Sequence, residues 1–154
     1  MIRSGEIAQG KLRHVLSFDV EEHFQVAAFW SVARRREWDQ LASRVECSTR
    51  KIADLLSEHS IKATVFVLGW VAERHPKLVM DIAQRGHEIA SHGYTHELIT
   101  AQTPYLFRED MRTTKNILEQ LTGKAVLPYR APSSLITPET QWALPISVEE
   151  GYQC

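Results

Sequence analysis

The chain is short of the residues that mark several protein classes. Its 154 residues hold two cysteines, Cys47 and Cys154, without the paired spacing of a zinc knuckle or a redox motif. Isolated cysteines of this kind fit a reducing compartment. Seven glycines and six prolines exclude collagen-like and low-complexity sequence. No charge of one sign is in excess, since 18 basic against 19 acidic side chains leave a net charge of −1. That balance gives no reason to expect nucleic acid or an anionic membrane as a partner. Long apolar runs are missing too, and nothing approaches the roughly 18 apolar residues of a membrane helix. The N-terminus, Met1-Ile2-Arg3-Ser4-Gly5-Glu6, lacks the apolar core of a secretory signal, which points to a cytoplasmic protein.

What is present is an ordinary globular composition. The chain is 44% hydrophobic and 24% charged, which excludes disorder, and its length suits one domain over residues 1–154. It is too short for a closed parallel α/β barrel, which needs about 250 residues. Short apolar runs alternate with amphipathic ones. His14–Val20, Ala63–Leu68 and His87–Ser91 read as strands, the second closed by Gly69; Val126–Tyr129 is a weaker fourth because Pro128 cannot donate to a ladder. Ser48 or Thr49 is placed to cap a helix ending near His59. Pro76 opens another helix that stops at Gly86, and Thr103-Pro104 opens one that runs to Gly123. Thr137-Pro138 starts a last helix, which Pro145 should kink or end at Leu144. Strands alternating with helices at this spacing predict βα units and a parallel sheet. Residues 23–46 fit this scheme poorly. They carry Phe24, Phe29, Trp30 and Trp38 around Arg34-Arg35-Arg36, and read as a partly helical loop with its aromatics packed down and its arginines in water.

Chemistry-bearing residues gather at one place in this scheme. His92 and His96 in Ser91-His92-Gly93-Tyr94-Thr95-His96 share a face if the segment turns helically, so both imidazoles can reach one ion. Asp19 and Glu21 project to the same side at the end of the first strand, and Glu22 points away unless the chain bends there. Two like charges on one face repel unless a cation or a task compensates; the alternative is a pair of solvated loop acids. Arg130, after the weak fourth strand, can grip a carboxylate, or can be a surface arginine before a turn. All three groups fall just after predicted strands, at the carboxyl edge where α/β folds bind ligands. His14, His59 and His75 sit at ordinary surface positions, His87 at the opposite end, and His23 close to the edge.

With these segments assembled, the sequence resembles the polysaccharide deacetylases of the NodB-homology group, carbohydrate esterase family 4. Ser17-Phe18-Asp19-Val20-Glu21, His92-Gly93-Tyr94-Thr95-His96 and Arg130-Ala131-Pro132-Ser133 are similar, in order, to three of its motifs. The Phe18-Asp19-Val20-Glu21-Glu22 spelling is similar to a subgroup associated with bacterial exosortase and exopolysaccharide gene clusters. The resemblance implies a distorted (β/α)7 barrel, of which about four βα units are present, and a divalent metal, usually zinc. It implies His92, His96 and Glu21 as ligands, Asp19 as general base, Arg130 as its partner, and the Ser133 backbone N–H as an oxyanion donor. It implies hydrolysis of N-acetyl groups on a polysaccharide. Gly93 departs from the family's Ser or Thr, and Ser133 from its aromatic. The family's late motifs, which carry its general acid, do not occur before Cys154, so the resemblance also implies a C-terminally truncated domain. Open sheet edges in such a partial barrel predict self-association. The alternatives are a non-catalytic remnant that binds metal, and an allantoinase-like amidohydrolase.

Overall fold

The structure is a computed structural model, and it describes residues 14–29, 33–134 and 136–153. Trp30 and Cys154 lie outside the described residues, as does the segment 1–13. Three parallel strands, β1 (Ser17–Val20), β2 (Thr64–Val67) and β3 (Glu88–Ser91), lie side by side in chain order. The register aligns Asp19 with Phe66 and Ala90, and Val20 with Val67 and Ser91. The fourth expected strand is reduced to single bridges: Tyr129 pairs with Ser91, and Pro128 with Gln153. Pro128 can offer only its carbonyl, and it accepts from Ser91 N–H at 3.0 Å.

The described residues form five α-helices: α1 (Val45–Glu58), α2 (Gly69–Arg74), α3 (Pro76–Gln84), α4 (Pro104–Thr122) and α5 (Ala143–Glu149). The signals at Pro76 and at Thr103-Pro104 hold; the Thr103 hydroxyl accepts from Leu106 N–H, and Gly123 ends α4 in the left-handed region at φ 66°. Three expectations are corrected. Helix α1 starts at Val45, so Ser48 and Thr49 lie inside it; the buried Glu22 carboxylate accepts the Arg44 N–H at 3.0 Å and caps the helix from a distant segment. Gly69 does not close the β2 region but opens α2, whose Gly69 and Trp70 N–H groups donate to the carbonyls of Gly93 and Tyr94. Pro145 neither kinks nor ends the last helix, because it falls in the first turn of α5, where no N–H is required.

The core is continuous from the sheet to the helices, with Val65, Val67, Val71, Val79, Ile82, Phe107, Met111 and Leu118 all essentially inaccessible. Part of the insertion joins it as expected. Phe24 and Trp38 are buried and meet Trp70 at ring separations of 6.0 and 5.7 Å, while Arg34, Arg35 and Arg36 face solvent. No helix among the described residues is long and apolar enough to cross a membrane.

Candidate metal centre at the strand ends

The carboxyl ends of β1 and β3 and the short pairing after them bring five of the expected residues together. Alternation along β1 puts Ser17 and Asp19 on one face and buries Val20 on the other. Phe66 lies beside Asp19 in the register, and the Arg130 guanidinium sits 3.9 Å over its ring. From there Arg130 donates through Nη1 to Asp19 Oδ1 at 2.5 Å and through Nη2 to Ser17 Oγ at 2.6 Å. The arginine is therefore gripped by one strand and stacked on the next. Its backbone is fixed as well: Arg130 N–H donates to the Ser91 carbonyl at 2.9 Å, and the Arg130 carbonyl accepts from His92 Nδ1 at 2.9 Å.

That last bond selects a tautomer. With Nδ1–H donating, His92 turns an unprotonated Nε2 toward the site, 3.8 Å from Asp19 Oδ2. The segment 92–96 is not helical, contrary to the condition attached to the histidine pair. Gly93 and His96 both take positive φ, 77° and 59°, and the resulting loop sets the two imidazoles 5.0 Å apart. His96 Nε2 lies 3.3 Å from Glu21 Oε2. Of the two acids left open by the sequence, Glu21 reaches the histidines and Glu22 reaches the start of α1. Ser133 follows Arg130 in an exposed turn, with φ 55° and ψ 17°.

Glu21, His92 and His96 each offer a ligand atom within 4.8 Å of the others. Glu21 Oε2 and His92 Nε2 are buried with no hydrogen-bond partner among the described residues, and His96 presents Nε2 to Glu21 Oε2 at 3.3 Å. Unsatisfied buried polar atoms cost free energy, and two on neighbouring members of one cluster call for a missing partner. The donor set, two neutral imidazoles and a carboxylate, suits a divalent cation such as zinc. Burial holds the His92 imidazole below its ordinary value, and burial with the neighbouring His92 lowers His96 to about 4, so both rings are neutral at pH 7. Glu21 moves the other way, to about 7, through burial and then the nearby Asp19 charge. Burial thus disfavours charge on all three groups, and a divalent cation between them would stabilise the ionised Glu21 carboxylate.

Phe66 is the residue of this group that sequence reading missed, since its role depends on the β1–β2 register. Phe66→Leu keeps the bulk but removes the aromatic face, worth about 0.5–2 kcal/mol to an overlying cation. Any hydrolytic rate that depends on the Asp19–Arg130 pair should then fall about two- to thirtyfold, with metal content unchanged. Steady-state kinetics with metal analysis checks this; an unchanged rate would show the stack to be incidental.

Known proteins resemble this chain in sequence and in fold. A family model described as polysaccharide deacetylase matches residues 37–147. A peptidoglycan-N-acetylglucosamine deacetylase of Bacillus cereus is 36% identical over 96 residues, 62% of this chain and 35% of the relative. A chitooligosaccharide deacetylase of Rhizobium leguminosarum bv. trifolii is 39% identical over 83 residues, 53% of this chain and 39% of the relative. Among solved structures, the Bc1960 peptidoglycan N-acetylglucosamine deacetylase superposes with a TM-score of 0.68 at 27% identity, covering 90% of this chain and 53% of that one. The chain thus spans between about a third and a half of the length of these proteins.

Proposed function

The chain belongs to the polysaccharide deacetylase family, and from that premise we propose that it is a metal-dependent hydrolase that removes N-acetyl groups from a polysaccharide. Its parallel sheet and helices form part of the (β/α)7 barrel fold of that family. We treat residues 1–154 as a single partial domain of this kind. The observation that carries the reading is the convergence of ligand atoms from Glu21, His92 and His96 within 4.8 Å of one another, beside an aspartate held by an arginine.

Glu21, His92 and His96 would hold the ion, zinc in our reading, which when bound supplies Lewis acidity toward an amide carbonyl. The remaining work falls to the chain itself. Asp19 Oδ1 is occupied by Arg130, which fixes the carboxylate plane and leaves Oδ2 to accept a proton from the attacking water and return it to the amine nitrogen as the C–N bond breaks, so that acetate and the free amine leave. Phe66 and Ser17 keep the arginine from swinging out, so the base is held in place before substrate arrives. The Ser133 N–H, on the turn after Arg130, is our choice of donor to the developing oxyanion. A cleft of about 380 Å³ borders Asp19 and Glu21, with Val26, Val45 and Ile52 among its walls, which suits the apolar faces and methyl group of an N-acetylated sugar. The names of the relatives support an N-acetylhexosamine polymer as the substrate class, and the subgroup spelling around Asp19 supports an exopolysaccharide. The outer edge of β1, bordered by the exposed Val15 and Leu16, supports pairing with a second chain.

Acetate release from N-acetylglucosamine oligomers tests the reading. The zinc-loaded chain should release acetate, lose this on chelation and regain it when zinc is restored. Zinc bound without acetate release would instead favour a binding protein that has kept the centre and lost turnover.

The pH dependence of metal uptake follows from Glu21. A proton competes with the ion for its carboxylate, and with a value of about 7 that competition sets in as pH falls below 7. Zinc affinity should therefore rise about tenfold per pH unit between pH 5 and 7. Calorimetric titration at several pH values checks this. Affinity that stays flat over that range would mean Glu21 is not a ligand.

A further inference from the structure

The loop that carries both histidines is held from two sides, and only one of them belongs to the strand ends. On one side, the Gly69 and Trp70 N–H groups at the start of α2 donate to the Gly93 and Tyr94 carbonyls at 2.9 and 3.0 Å. On the other stands Asp110, in the middle of α4. Both of its carboxylate oxygens lie 3.0 Å from the Tyr94 N–H, and the Thr95 N–H donates to it as well. The carboxylate thus neutralises two donors that face inward because Gly93 and His96 take positive φ. This arrangement is costly to build, as burial pushes the Asp110 carboxyl up to about 6 despite the Tyr94 N–H.

Gly93 is the counterpart. A Cβ at position 93 would stand 3.0 Å from Asp110 Oδ1, on a backbone at φ 77° that side chains avoid. The missing side chain next to the first histidine is therefore space that the Asp110 carboxylate fills. Tyr94 locks the same contact from outside: its ring lies against Gly69, where a Cβ would meet Tyr94 Cδ2 at 2.6 Å, and its hydroxyl donates to Glu73. Nothing in the spacing of the sequence links residue 110 to the strand ends.

We propose that Asp110 is a positioning residue for the metal centre, fixing the 93–95 backbone so that His92 and His96 converge on one ion. The inference rests on the reading of Glu21, His92 and His96 as ligands. Asp110 touches neither imidazole, so its effect must pass through the loop, and groups that orient metal ligands in this way are typically worth about 10- to 100-fold in affinity.

Zinc titration of the metal-free 154-residue chain against a chromophoric chelator tests this, together with amide hydrogen exchange of the same protein. Asp110→Asn should weaken zinc binding by about tenfold or more and speed exchange at Tyr94 and Thr95. Gly93→Ala disturbs the same contact from the loop side and should do likewise, which keeps the test open if the first variant does not fold. Ser147→Ala removes a different contact to α4, from the Ser147 hydroxyl to Met111 Sδ at 3.6 Å. It should lower the melting temperature and leave zinc affinity unchanged. A folded Asp110→Asn or Gly93→Ala chain with wild-type affinity would overturn the proposal, as would an equal loss in Ser147→Ala. A wild-type chain that takes up no zinc would overturn the metal centre itself, and the proposal with it.

Discussion

Substituting His92 or His96 with alanine is expected to lower zinc affinity by about a hundredfold or more, because a zinc site worth about 10–16 kcal/mol over four ligands assigns roughly 3 kcal/mol to each. Both rings are buried and neutral, so neither has an alternative charge partner to recruit. The two variants should differ in one respect. His92 donates to the Arg130 carbonyl, so His92→Ala also loosens the segment that delivers Arg130, whereas His96→Ala leaves it in place. Elemental analysis of chelator-stripped and zinc-reloaded protein, with a melt to confirm folding, measures the effect. Stoichiometric zinc that survives both substitutions would refute these ligands.

Asp19→Asn is expected to lower acetate release by about 10²- to 10⁴-fold, the usual worth of a positioned general base. Asparagine keeps the shape and can still accept from Arg130 Nη1, but it cannot take a proton from water. Zinc should remain bound, because Asp19 lies 3.8 Å from His92 Nε2 and is not among the three converging ligand atoms. The split between retained metal and lost turnover distinguishes a base from a ligand. Kinetics and metal content on the same sample decide it; a variant that keeps more than about a tenth of the rate would remove Asp19 from the role.

Much of this was legible in the residues because the signals were local. Pro76 and Thr103-Pro104 open helices and Gly123 closes one, each through a backbone restriction that acts within a turn. The strand end at Asp19 and Glu21, and the pair His92 and His96, were readable as chemistry at one edge because a parallel sheet places such ends together. What stayed hidden depended on contacts between distant segments. The cap of α1 comes from Glu22, in the chain after β1, so Ser48 and Thr49 looked like better candidates than they are. Helix α2 is anchored by carbonyls of the histidine loop, so Gly69 read as a terminator. Phe66 and Asp110 carry no motif of their own. One gains its place from register, the other from how α4 packs over the loop.

The central claim is that Glu21, His92 and His96 form one metal centre beside Asp19. Zinc anomalous diffraction from crystals of the zinc-loaded chain tests it most directly. A single strong peak should appear about 2 Å from Glu21, His92 and His96 side-chain atoms, with the Asp19–Arg130 pair intact next to it. A peak on other residues, or no peak between these three in protein shown to contain zinc, would contradict it.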